Sequence, residues 1–132
     1  MKVLTLTSQD QVDKYSSNSC KLLKEGNYDK VVFNGITNLS GDYVGYMYDG
    51  GFLFYVPEIE IQNCTIDGSI MIFCTSNPLK ITIKDSTIQG FTISELGASL
   101  SVVMDNVTQK GEFSSIDLRN DSTDTYTGKS LL

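Results

Sequence analysis

One ten-residue phrase is written almost twice in this chain, and that repetition constrains the fold more than any other feature. Ile59–Gly68 reads IEIQNCTIDG, and Ile81–Gly90, 22 residues later, reads ITIKDSTIQG. A third copy, VVMDNVTQKG, runs from Val102 to Gly111, 21 residues on. A looser fourth, VVFNGIT, spans Val31–Thr37, 28 residues before the Ile59 copy. Aligned, the copies stack Val31, Ile59, Ile81 and Val102 in one column and Phe33, Ile61, Ile83 and Met104 two places on. A column of turn formers follows (Gly35, Asn63, Asp85, Asn106), then Ile36, Cys64, Ser86 and Val107, then threonine each time at Thr37, Thr65, Thr87 and Thr108.

Alternating β-branched residues at a period near 20–25 are the mark of stacked strands. Alternation turns Ile59, Ile61, Ile81 and Ile83 inward and leaves Glu60, Gln62, Thr82 and Lys84 outside. Asn, Asp and Gly tolerate left-handed backbone and can hydrogen-bond along a stack, which suits a shared corner. The expectation is an all-β chain: a short right-handed parallel β-helix (solenoid) of about four to five coils with an N-terminal α-helical cap. Its parts are an N-terminal strand and capping helix over 1–27, the solenoid over 28–118 with an aromatic insertion at 42–56, and a polar C-terminal tail over 119–132. Ser8 and Gln11 stand at capping-box spacing and the helix stops at Gly26, with Val12, Tyr15, Leu22 and Leu23 on one face and a poorly helical SSNS in the middle. The insertion alternates aromatics around Asp49-Gly50-Gly51, which reads as a hairpin or a coil corner.

Composition narrows the function. The chain has 132 residues with 16 acidic and 10 basic side chains, a net charge of −6, and it contains no histidine. An acidic surface disfavours direct nucleic-acid binding and anionic membranes. Without histidine, Ser-His-Asp and Cys-His catalysis and imidazole metal ligands are excluded. Three cysteines with no paired spacing suit neither a thiolate zinc site nor a disulfide framework, so no cofactor is expected and a reducing cytoplasm is. No apolar run is long enough for a membrane span or a secretory signal.

Asp85 and Asp105 are the carboxylates that could face each other across a sugar. A turn ladder with a Lys84–Asp105 cross-coil ion pair is the preferred reading of the same residues, so no catalytic residue is expected. The threonine column reads likewise as a structural ladder rather than an ice-binding rank, because its flanks are Leu39, Asp67, Gln89 and Lys110.

A charge asymmetry points elsewhere. Between Val31 and Leu79 there is no Lys or Arg, but there are Asp42, Asp49, Glu58, Glu60 and Asp67, interleaved with Tyr43, Tyr46, Tyr48 and Tyr55. Tyrosine gives contact area with a polar handle and carboxylates select Arg or Lys, so these nine residues form the expected partner-binding face.

Over about Val31 to Leu118 the stacked pattern resembles the pectate-lyase-like right-handed β-helix superfamily. That resemblance implies polysaccharide cleavage, polysaccharide binding as in phage tailspikes, or a scaffold. In shape and charge the chain is also similar to the pentapeptide-repeat proteins, which implies an acidic DNA mimic that occupies a basic enzyme. The functional expectation is a non-enzymatic binding protein engaging a basic, nucleic-acid-handling protein, in the manner of a phage or mobile-element inhibitor of a host defence enzyme. A carbohydrate-binding or carbohydrate-cleaving β-helix and a self-assembling structural protein are the alternatives. The C-terminal end lacks an evident cover, which leaves a homo-oligomer through that end as a further partner.

Overall fold

The structure, a computed structural model, describes residues 1–47, 51–73, 79–94, 100–109, 116–117 and 125–128. Strand β1 (Val3–Leu6) leads into helix α1 (Gln9–Gly26), then β2 (Lys30–Asn34) and the short β3 (Leu39–Ser40). A single helical turn, α2 (Gly41–Val44), separates β3 from β4 (Tyr46–Met47), and a 3₁₀ turn (Phe52–Phe54) precedes β5 (Glu58–Gln62). The remaining strands are β6 (Thr65–Phe73), β7 (Leu79–Ser94), β8 (Leu100–Gln109), β9 (Ile116–Asp117) and β10 (Thr125–Gly128).

Up to the turn column the repeat copies pair with one another in parallel and in the register their letters suggest. Val31 faces Ile59, Ile59 faces Ile81 and Ile81 faces Val102, with Phe33, Ile61, Ile83 and Met104 aligned two residues on. Both files are buried and form the middle of the core with Leu6, Ile36, Leu39, Ile66, Ile70 and Ile88. Burying each such aliphatic side chain contributes roughly 1.5–3 kcal/mol, which makes these columns the main source of cohesion.

These strands do not build the expected all-β right-handed solenoid of four to five coils. They form one ten-stranded sheet, ordered β1-β2-β5-β7-β6-β3 with β4, β8, β9 and β10 branching from that path. The sheet curls into a half-barrel and carries helices with it, so the class is a mixed α/β curled parallel sheet. The reason lies in the turn column. Gly35, Asn63, Asp85 and Asn106 all have positive φ, from 49° to 74°. In β7 and β8, however, Asp85 and Asn106 lie inside one continuous strand and do not end it. The left-handed residue is absorbed as a bend, so one sheet curves where separate flat faces were expected.

The bend leaves one backbone donor to be satisfied by a side chain. Around it the ladder closes through Gly35 N–H to Gln62 C=O, Asn63 N–H to Lys84 C=O and Thr65 N–H to Ile36 C=O. The Cys64 N–H donates instead to the Ser86 hydroxyl at 3.1 Å, and that hydroxyl donates to Lys84 C=O at 2.7 Å. Among the described residues Ser86 is the one buried polar side chain. On the outside of the bend Asn106 donates to Asp85 at 2.7 Å.

At the N-terminus the Ser8 hydroxyl accepts from Gln11 N–H, and Gln11 Oε1 accepts from Thr7 N–H, closing the capping box one residue earlier than its usual position. Helix α1 is not regular. Ser17 to Cys20 leave helical geometry, with Asn18, Ser19 and Cys20 at positive φ. This break at SSNS changes the phase of the apolar face: Val12, Cys20 and Leu23 are buried, whereas Leu22 is exposed. Of the hairpin or coil corner expected for the insertion, the described residues show no antiparallel hairpin pairing. Tyr46–Met47 pairs in parallel with β6, and Phe52–Phe54 is a 3₁₀ turn.

Replacing Ser86 with Ala should destabilise the chain by about 1–3 kcal/mol, although it makes the site more apolar, because the buried Cys64 N–H loses its acceptor. Urea unfolding of the two proteins measures this, and an unchanged midpoint would show that the N–H finds another partner.

Candidate protein-binding site

Of the nine residues read from sequence as a partner-binding face, the seven that are described are not brought together on one surface. Glu58 and Glu60 project from β5 on the outside of the sheet, directly beside β2. There Lys30 Nζ lies 3.3 Å from Glu58 and 3.0 Å from Glu60, with side chains 16–22% exposed. Gln62 also donates to Glu60. The two glutamates thus share one lysine within the sheet, which halves their charge. The bond to Glu60, followed by the contact with Glu58, outweighs burial and raises the Lys30 ammonium above its ordinary value of 10.5.

Tyr55 is separate again. It is half-buried beyond the 3₁₀ turn, with Phe54 edge-on to its ring at 4.9 Å and Lys24 Nζ 5.4 Å above it. The ring thus joins this turn to the end of α1. Tyr48 and Asp49 lie outside the described residues.

The remaining four share one margin of the sheet. Strand β3 pairs with the start of β6, with Leu39 facing Ile66 and Ser40 facing Asp67. The chain then leaves the ladder for the single turn of α2 and returns at β4, with Tyr46 facing Met71. Leaving the ladder takes Asp42 out of the sheet plane, and Gly41 allows it. A Cβ on Gly41 would sit 2.7 Å from the Ser69 carbonyl carbon and oxygen, so the turn can press against β6 only without a side chain. Asp42 and Asp67 are exposed, Tyr46 is 41% exposed, and Tyr43 packs partly against the core. Among the described residues neither aspartate has an ion-pair partner.

The chemistry of the other candidates is structural. Asp85 is a corner residue that accepts from Asn106. Lys84 and Asp105 are neighbours across β7 and β8 but form no ion pair. Cys20 and Cys64 are buried free thiols whose pKa values burial pushes up, which makes both poor nucleophiles. Among the described residues no group of three or more His, Cys, Asp or Glu is placed to hold a metal, and no helix is long and apolar enough to cross a membrane.

Because the Lys30 ammonium is raised in the folded chain, its contribution to stability is complete below pH 10.5 and is lost as pH rises through the elevated value. The stability gap between the native chain and Lys30→Met should thus be constant from neutral pH to about pH 9.5 and narrow by about pH 12. Urea midpoints across that range test it, and a gap that widens at high pH would contradict the assignment.

Comparison of the chain with protein-family models finds no match, and comparisons with curated proteins and with solved structures find none either.

Proposed function

We propose that this chain is a non-enzymatic binding protein whose β3–α2–β4 margin engages a basic protein surface, of the kind that ordinarily holds nucleic acid. The observation that carries this reading is the exposure of Asp42 and Asp67 beside exposed Tyr46, with no lysine or arginine paired to either acid among the described residues. Carboxylates held on a sheet and a one-turn helix present fixed negative charge, which steers a cationic partner and selects against an anionic one. The tyrosine supplies contact area at low conformational cost. Glu58 and Glu60 do not belong to this surface, because both are held on β5 against the Lys30 ammonium.

The division between the two acidic groups gives the test. The pure chain is immobilised and exposed to cell lysate at low and high salt, beside Asp42→Ser/Asp67→Ser and Glu58→Ser/Glu60→Ser variants. One basic protein should be retained in stoichiometric amount by the native chain and released by salt. The Asp42/Asp67 variant should weaken that complex at least about tenfold, whereas the Glu58/Glu60 variant should retain it on a less stable fold. Full binding by the Asp42/Asp67 variant, or no retained protein at either salt, would sink the proposal.

A further inference from the structure

Strands β9 and β10, each paired on one side only, form one further margin of the sheet, and β1 forms another, built unlike the β3–β4 margin. At the β3–β4 margin a helical turn interrupts the strand, a device that blocks the addition of another strand. Strand β1 reads Val3-Leu4-Thr5-Leu6, with no charge, no proline and no bulge. Its pairing with β2 fixes which backbone groups are engaged. Val3 stands opposite Lys30, and Lys30 N–H donates to Lys2 C=O, so the groups of Lys2, Leu4 and Leu6 face β2. By alternation the N–H and C=O of Val3 and Thr5 face away from the sheet, and among the described residues they have no partner. The next group in that outward series, Thr7 N–H, is satisfied by Gln11 Oε1. The open part of the edge is therefore confined to Val3–Thr5, beside a Val3 side chain that is 45% exposed.

The geometry points to a second copy of this chain as the occupant, paired β1 to β1 in antiparallel fashion about a two-fold axis. Among pairings of β1 with itself, that register alone satisfies every open group. Val3 of one copy and Thr5 of its partner become a hydrogen-bonded pair that exchanges both N–H···O=C bonds, and the axis generates the same pair again. All four open groups of each strand are then satisfied. The axis falls between the two Leu4 residues, which become a non-hydrogen-bonded pair with Cα atoms about 4.5 Å apart. Leu4 is half-buried on the inner face and packs against the core, so the pair would extend the apolar columns across the axis. Outside, Val3 would stand beside Thr5, both β-branched, and no like charges meet along the strand. The closed symmetry uses up the β1 edge, so this contact does not propagate into a fibre.

Each copy carries a charge of −6, so the copies repel one another at long range and added salt should tighten the dimer. Salt should loosen the acidic complex proposed above, which keeps the two readings separable.

Sedimentation equilibrium of the full chain is the test. The expected species has twice the 14.6 kDa chain mass and becomes more abundant with salt. Thr5→Pro should weaken it about thirtyfold, because each strand loses an outward donor that β2 does not use. Circular dichroism checks that the monomer fold is kept. Leu4→Cys provides an independent readout: the two-fold places the new thiols within disulfide reach, so mild oxidation should give a covalent dimer that the native chain does not form. A monomer at every concentration and salt would overturn the inference. So would a series of higher oligomers, or a dimer that survives Thr5→Pro while Leu4→Cys fails to cross-link.

Discussion

The file of left-handed residues at Gly35, Asn63, Asp85 and Asn106 is the constraint on which the rest of the sheet depends. An ordinary L-residue would cost about 1–2 kcal/mol in that conformation, and the cost would recur at every strand of the stack. Glycine, asparagine and aspartate reduce it, and where Asp85 and Asn106 meet, their side chains bond along the file. Between β7 and β8, where both strands bend at the same register position, the parallel ladder stays in phase on both sides of the bend. Ile81 keeps facing Val102 before it and Thr87 keeps facing Thr108 after it. The bend also turns the Cys64 N–H away from a backbone acceptor, which explains why the otherwise apolar column of Ile36, Cys64 and Val107 contains Ser86.

This part of the structure was legible in the letters. Up to the corner the spacings between copies are the spacings of the strand register, whereas past it the first copy slips by one residue, so that Leu39 faces Ile66 rather than Asp67. What the copies do not encode is whether bent strands close into a solenoid or remain one curled sheet, since both use the same pairs and the same corner. The difference depends on how far a strand continues past its left-handed residue and on the connections between copies, whose letters do not repeat. The break in α1 shows a similar limit. SSNS signals weak helix, but the chain's return to helix after three left-handed residues, with Cys20 buried and Leu22 exposed, depends on packing against the core.

The charge pattern carried more information than was taken from it. A stretch without cations from Val31 to Leu79 makes five acids appear unopposed, but Lys30 lies one residue outside that stretch. The same 28-residue offset that aligns Val31 with Ile59 places Lys30 opposite Glu58, with Glu60 two residues further on the same face. Counting charge along the chain grouped what the register separates. In a stacked sheet the relevant neighbour lies one repeat away, so charge balance has to be summed across strands.

Summed that way, the surface divides according to how each margin of the sheet is finished. Between β2 and β5 opposite charges meet across the ladder, and Lys30 partly compensates Glu58 and Glu60. At the β3–β4 margin no further strand follows, and the helical turn that blocks strand addition also lifts Asp42 out of the ladder beside Asp67. Protection of that edge and exposure of uncompensated acid thus have one physical cause, the Gly41 turn pressed onto Ser69. The β1 margin has no such turn and no charge, and its outward backbone groups at Val3 and Thr5 are open to pair. One sheet therefore offers two unlike surfaces: a margin that recognises through charge on side chains, and a margin that recognises through its backbone.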